Sequence, residues 1–138
     1  MITGLTTNDS SSERRGDLNQ VLRIDGELPP NLNKYRNLHY MALDKQKKQW
    51  AKIIKTLVQE QQIEPMTRIH QRYEFWFKDR REHDPDNYAC CAKFINDGLV
   101  DAGILPRDNF EVIVSLTVNQ GGISKRPYIL IHMTEAIN

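Results

Sequence analysis

"TRIHQRYEFWF", residues 67–77, alternates between two kinds of side chain. Ile69, Tyr73, Phe75 and Phe77 share one face with Gln71, while His70, Arg72, Glu74 and Trp76 share the other. A period of two, in a run rich in aromatic and β-branched residues, predicts a half-buried strand. Its neighbours settle the class. Upstream, Trp50, Ile53, Ile54, Leu57 and Val58 recur at i, i+3, i+4, i+7 and i+8. That is the buried stripe of a helix over about 44–61, with Asp44 as its expected cap. Downstream, residues 87–102 read as a second helix ended by Gly103.

Further out, "QVLRIDGEL" (20–28) reads as a short strand and "PPNLNKYRNLHY" (29–40) as a loop. "EVIVSLTV" (111–118) places Val112, Val114, Leu116 and Val118 on one strand face. "NQGGISKR" (119–126) reads as a turn, and "PYILIHM" (127–133) as a last strand paired with its predecessor in a hairpin. The predicted order is β–α–β–α–β–β, an α/β (α+β) fold with a small mixed sheet and two main helices. Residues 1–18, rich in Ser, Thr, Asn and Asp, are expected to form a flexible tail, leaving 19–138 as a single domain.

The 138 residues are 39% hydrophobic and 27% charged, which suits one packed domain. No apolar run reaches the length of a membrane span. The polar first residues lack the apolar centre of a signal peptide, so a cytoplasmic protein is expected. The only cysteines, Cys90 and Cys91, are adjacent and point about 100° apart on a helix, so no disulfide framework is expected. The net charge of +1 hides two opposed segments. Residues 34–55 hold seven basic groups and one acidic, a local net of +6. Residues 82–111 hold seven acidic groups and two basic, a local net of −5. This fits a polyanion held by one part and metal cations by another; the plain alternative is two solvated faces.

Advancing about 100° per residue from Asp86, Cys90, Lys93, Asp97 and Asp101 return to within roughly 60° of it. Tyr88, Cys91, Ala92, Ile95, Leu99 and Ala102 form the opposite, apolar stripe. Asp84 precedes the helix, held extended by Pro85, and Asp108 follows Gly103 by five residues. Helix capping accounts for one carboxylate, and Lys93 with Asp97 makes an ordinary i,i+4 pair. The other reading takes Asp84, Asp86 and Asp108 as hard oxygen ligands for Mg2+ or Mn2+. Such a cluster supports phosphodiester hydrolysis, with Lys93 steadying charge or orienting water. "DPDNYACCAKFI" lacks the glycine and glutamate of a calcium loop, and Cys90 and Cys91 with His70 or His83 lack zinc spacing. No Walker A, G-x-S-x-G or dinucleotide fingerprint is present.

"HDPDNYACCAKFINDGLVDAGILPRDN" (83–109) resembles the signature of the RusA-type Holliday junction resolvases of bacteria and their phages. That signature runs Asp-x-Asp-Asn, a helical Lys, Asp-x-Leu, Ala-Gly and an acidic residue. Asp84, Asp86 and Asn87 match its opening, Lys93 the lysine, Asp97-Gly98-Leu99 the next element, then Ala102-Gly103 and Asp108. "PPNLNKYRN" and the lysine-rich helix are similar to the N-terminal part of phage-type members, so the likeness spans about residues 20–135. The resemblance implies a small homodimer in a bacterial or phage-infected cytoplasm. Its implied activity is a Mg2+- or Mn2+-dependent endonuclease on four-way DNA junctions. It implies Asp84, Asp86 and Asp108 as metal ligands and Lys93 as the catalytic lysine. A two-fold dimer suits two symmetric cuts. Phosphates would be gripped by Lys34, Arg36, Lys45, Lys48, Lys52 and Lys55, with Arg80 and Arg81 near the metal. Three features depart from the pattern. The stretch between Asp86 and Asp97 is a few residues longer than in enteric members. Arg107 stands where many members carry a further acid, and His83 where an arginine is common. A DNA- or junction-binding protein without catalysis is the alternative.

Overall fold

The computed structural model describes residues 14–137, a mixed α+β fold in which helices pack on one four-stranded sheet. The chain runs β1 (Arg14–Asp25), α1 (Leu32–Arg36), α2 (Tyr40–Glu60), β2 (Ile69–Phe77), α3 (Pro85–Ala89), α4 (Cys91–Asp101), β3 (Ile113–Ile123) and β4 (Tyr128–Ile137). Strands and helical stretches alternate as expected, each helical stretch being split into a short and a long helix. The first strand begins at Arg14, inside the expected tail; residues 1–13 of that tail lie outside the described residues.

The sheet order is β1-β4-β2-β3, with β4 antiparallel to β1 and β2, and β3 parallel to β2. The expected β3–β4 hairpin is therefore not formed. The connection after β3 passes over the end of β2, where the Ser124 amide donates to the Phe77 carbonyl at 2.8 Å. Burial explains the exchange. Ile129, Ile131 and Met133 of β4 are fully buried, so β4 takes an interior place, whereas β3, with exposed Leu116, takes an edge. The segment read as a turn is strand as far as Ile123. Gly121 and Gly122 lie against the Trp76 ring, and a Cβ on either would overlap it. The outer edge of β1 is covered too. The Gln61 side chain exchanges hydrogen bonds with the Arg23 backbone (2.8 and 2.7 Å), and Gln20 does the same with Glu64 (2.8 and 2.7 Å).

β2 alternates as its sequence requires, with Ile69, Gln71, Tyr73, Phe75 and Phe77 buried. Over this face pack α2, through Trp50, Ile54 and Val58, and α4. Each such aliphatic burial stabilises the fold by roughly 1.5–3 kcal/mol. α2 starts four residues ahead of the expected cap. His39 caps it, its Nδ1 accepting from the Met41 amide at 3.3 Å, while Asp44 sits inside the helix and pairs with Lys48 at 3.0 Å. Part of the expected loop is α1, capped by Asn31, whose Oδ1 accepts from the Lys34 amide at 3.0 Å. Within α4, Phe94, Asn96 and Gly98 are buried in addition to the expected stripe. A Cβ at Gly98 would stand 2.8 Å from the Ile54 Cβ, so the glycine sets how closely α2 and α4 approach. Gly103 (φ +79°) then ends the helix. Its amide donates to Val100 O at 3.0 Å and that of Ile104 to Leu99 O at 2.9 Å, the paired bonds of a Schellman stop. This turn sends the chain back toward α4.

Candidate functional site

Asp84 occupies the N-cap position of α3 in the extended conformation that Pro85 demands, but its side chain makes no capping hydrogen bond. Asp86 lies in the first turn, where its Oδ1 accepts from the Asn87 amide at 3.0 Å. Both carboxylates are exposed. The Asn87 side chain is committed elsewhere: its Oδ1 accepts from the Asn33 amide at 3.1 Å and ties α3 to α1.

Asp108 meets a different partner. The loop after Gly103 brings it close enough to Asp97 of α4 to act on that carboxyl. Partial burial, and then the proximity of Asp108, push the Asp97 carboxyl above the usual carboxylate range. Lys47 of α2 and Lys93 of α4 act on Asp97 in the opposite sense. Asp108 and two lysines from separate segments thus all lie within electrostatic reach of the Asp97 carboxyl. Among the described residues, no three His, Cys, Asp or Glu side chains are grouped closely enough to hold a metal ion. Asp84, Asp86 and Asp108 are accordingly not gathered as one trio. Asp97 stands roughly 9 Å along the axis from the start of α4, and Asp84 and Asp86 lie before that start, across the helix break at Cys90.

Asp97 and Lys47 are the residues a spacing argument passes over. Asp97 was legible on the helix's polar face, four residues after Lys93, and in the Asp-x-Leu match. Lys47 lies in the basic segment, but only the packing of α2 on α4 turns it toward the acids.

The other expected site residues stay apart from this pair or are already engaged. Lys34 and Arg36 are exposed on α1, and Lys45, Lys48, Lys52 and Lys55 on α2. Lys48 is partly neutralised by Asp44. Arg80 is exposed, while Arg81 is bound to Asp79 at 3.0 Å. The backbone amide of Arg81, and then its charge, hold the Asp79 carboxyl below the usual range. His83 is fixed rather than catalytic in posture. Its ring stacks on Phe77 at 3.7 Å, Nδ1 lies 3.1 Å from the Tyr88 hydroxyl, and Nε2 lies 3.4 Å from Asp79. Burial raises both thiols, Cys91 to about 12, and Cys91 donates to the Pro29 carbonyl at 3.3 Å. Neither cysteine is poised as a thiolate nucleophile.

The polar residues on the other sheet face satisfy one another. Glu74 accepts from Trp76 Nε1 at 2.7 Å and Arg72 at 3.3 Å, and lies 3.0 Å from His132 Nε2. The Trp76 bond leads in holding the Glu74 carboxyl below its ordinary range. His70 Nδ1 lies 2.7 Å from the Ser115 hydroxyl. That network fixes β2 to its neighbours, whereas Asp97 lies on the exposed side of α4.

No family model matches this chain, and no curated protein does. No helix among the described residues is long and apolar enough to cross a membrane.

Proposed function

We propose that this protein is a metal-dependent endonuclease of the RusA type that resolves four-way DNA junctions. The observation that supports the reading is that Asp108, Lys47 and Lys93 all lie close enough to Asp97 to act on its carboxyl. A divalent cation relieves the repulsion of such a pair. Mg2+ is commonly held by one or two carboxylates together with substrate phosphates, so two acids are a sufficient protein contribution. Mn2+ suits the same oxygen ligands. When bound, the ion supplies charge neutralisation and an activated water. Asp97 and Asp108 would hold it, with Asp84 and Asp86 across the helix break as the further acids facing the DNA.

The chain's own residues do the rest. Lys93, exposed on α4 and close to Asp97, offers a positive charge to the phosphoryl oxygens. Lys45, Lys52 and Lys55 on α2, with Lys34 and Arg36 on α1, bind backbone phosphates without reading sequence. Two copies acting as a homodimer match the two cuts of a two-fold junction. The compartment proposed is the cytoplasm of a bacterium or an infected host cell. A second reading, junction binding without cleavage, is favoured by Arg107, whose charge adjoins Asp108 in the chain.

A labelled four-way junction incubated with the protein and Mg2+ separates these readings. Paired symmetric nicks, lost in Asp86→Asn with junction binding retained, support the nuclease. Tight binding with no nicks supports the second reading. Cleavage that survives Asp86→Asn removes the α3 acids from the site. Binding through the basic segment weakens steeply as salt is added.

A further inference from the structure

Beside Asp84 lies a cavity of about 190 Å³ between the start of α3 and the strands β2 and β3. We infer that it receives one unstacked nucleobase of the bound DNA strand. This rests on the junction-nuclease reading above. The walls are aromatic and fixed. The rings of Phe77 and His83 are nearly parallel, 6° apart, and Tyr88 sits edge-on to Phe77 at 4.9 Å and tilted to Phe75 at 5.6 Å. The His83–Tyr88 hydrogen bond locks two of these walls together.

The volume is small beside the roughly 300–1,000 Å³ of pockets for drug-sized ligands, so it suits a single ring system. The polar residues Asp84 and Gln120 line it as well, and both are exposed. The neighbouring Asn119 also borders the cavity, but its side-chain oxygen is turned toward Arg72, 3.5 Å away. A nucleobase matches this distribution: apolar faces for aromatic contact, and a polar edge that Gln120 can meet with both a donor and an acceptor. Because Asp84 also lines the cavity, a base seated here leaves its phosphate next to the α3 acids that the nuclease reading turns toward the DNA. Extruding a base costs a few kcal/mol in a paired duplex and less where pairing is already interrupted, as at the exchange point of a junction.

The test uses the full chain and four-way junctions carrying the fluorescent base 2-aminopurine at successive positions around the exchange point. A several-fold fluorescence change on binding is expected at one position. Val118→Trp, which fills the cavity from β3, abolishes that change and weakens junction binding, and an abasic site at the responsive position weakens the binding of this variant no further. Tyr88→Leu, a milder change, reduces it. An abasic site at the responsive position weakens wild-type binding roughly 5- to 100-fold, the range for one stacked base. A fluorescence response that is uniform around the junction, or unchanged in both variants, overturns the inference. The two readings fail separately. A position-specific, Val118-dependent response without nicks keeps the pocket and removes the nuclease. Nicks with a uniform response do the reverse.

Discussion

Asn96 and Asp97 are neighbours on α4, yet their side chains meet opposite surroundings. Asn96 is buried against β2, where it and Gln71 exchange hydrogen bonds at 2.7 and 3.1 Å and the Tyr73 hydroxyl adds a third at 3.3 Å. Every strong polar demand there is met, and the Tyr73 hydroxyl, buried in this network, is held well above its ordinary pKa by loss of solvent. Asp97 faces outward and meets another carboxylate. The first pair fixes how α4 sits on the sheet, since a half-satisfied amide in the core is costly. The second leaves the Asp97 carboxyl raised, and on the proposed reading a cation would offset that. Polar groups one residue apart thus divide into one that specifies the fold and one that the proposed function makes available for chemistry.

The comparison breaks first at the acidic pair if the nuclease reading is wrong. Asp108→Asn is expected to lower junction cleavage roughly 100- to 10,000-fold, the scale of losing a group that acts in the transition state. Binding measured at the same salt should stay within a few-fold. At the buried pair, Asn96→Ala leaves the Gln71 amide unpartnered and should cost roughly 1–3 kcal/mol in urea unfolding. Replacing both amides by leucine should cost less than that single change, because no orphaned polar group remains. Gly103→Ala tests the turn that joins the two regions. With φ at +79°, a side chain there should cost roughly 1 kcal/mol and loosen the return of Asp108.

The smallest expected effect has the opposite sign. Asp97→Asn should stabilise the metal-free protein at neutral pH by roughly half a kcal/mol, the scale of a solvent-screened charge pair. The raised carboxyl pKa of Asp97 means the folded state holds its proton more tightly than the unfolded chain. Its favourable contribution is complete below the unfolded pKa and is lost as pH rises through the folded one. The advantage of Asp97→Asn over wild type should therefore grow from acid to neutral pH. An advantage that shrinks over that range contradicts the assignment of the pair.

Much of the fold was legible because period and burial agree. The alternation of β2, the α2 stripe and the Gly103 stop all follow from single residues. Gln71 was visible on the buried face, but its partner was not, since Asn96 lies on a different element and only tertiary packing joins them. The hairpin between β3 and β4 was misread for a related reason. Gly121 and Gly122 look like a turn until the Trp76 ring that needs their bare backbone is in view. In the candidate site, spacing singled out Lys93 and Asp108, residues that the nuclease reading uses. It paired Asp108 with Asp84 and Asp86 because sequence distance says little about where a loop returns. The side chain that meets Asp108 was fixed by the Schellman turn and the second turn of α4.

The central claim is that Asp97 and Asp108 form a cation-dependent site, and thermal unfolding of the full chain against added Mn2+ tests it most directly. At a hundred times the dissociation constant, wild type should gain roughly 5–10 °C in Tm. Asp97→Asn and Asp108→Asn should each lose most of that gain. An equal rise in all three proteins, or none in wild type, contradicts the claim.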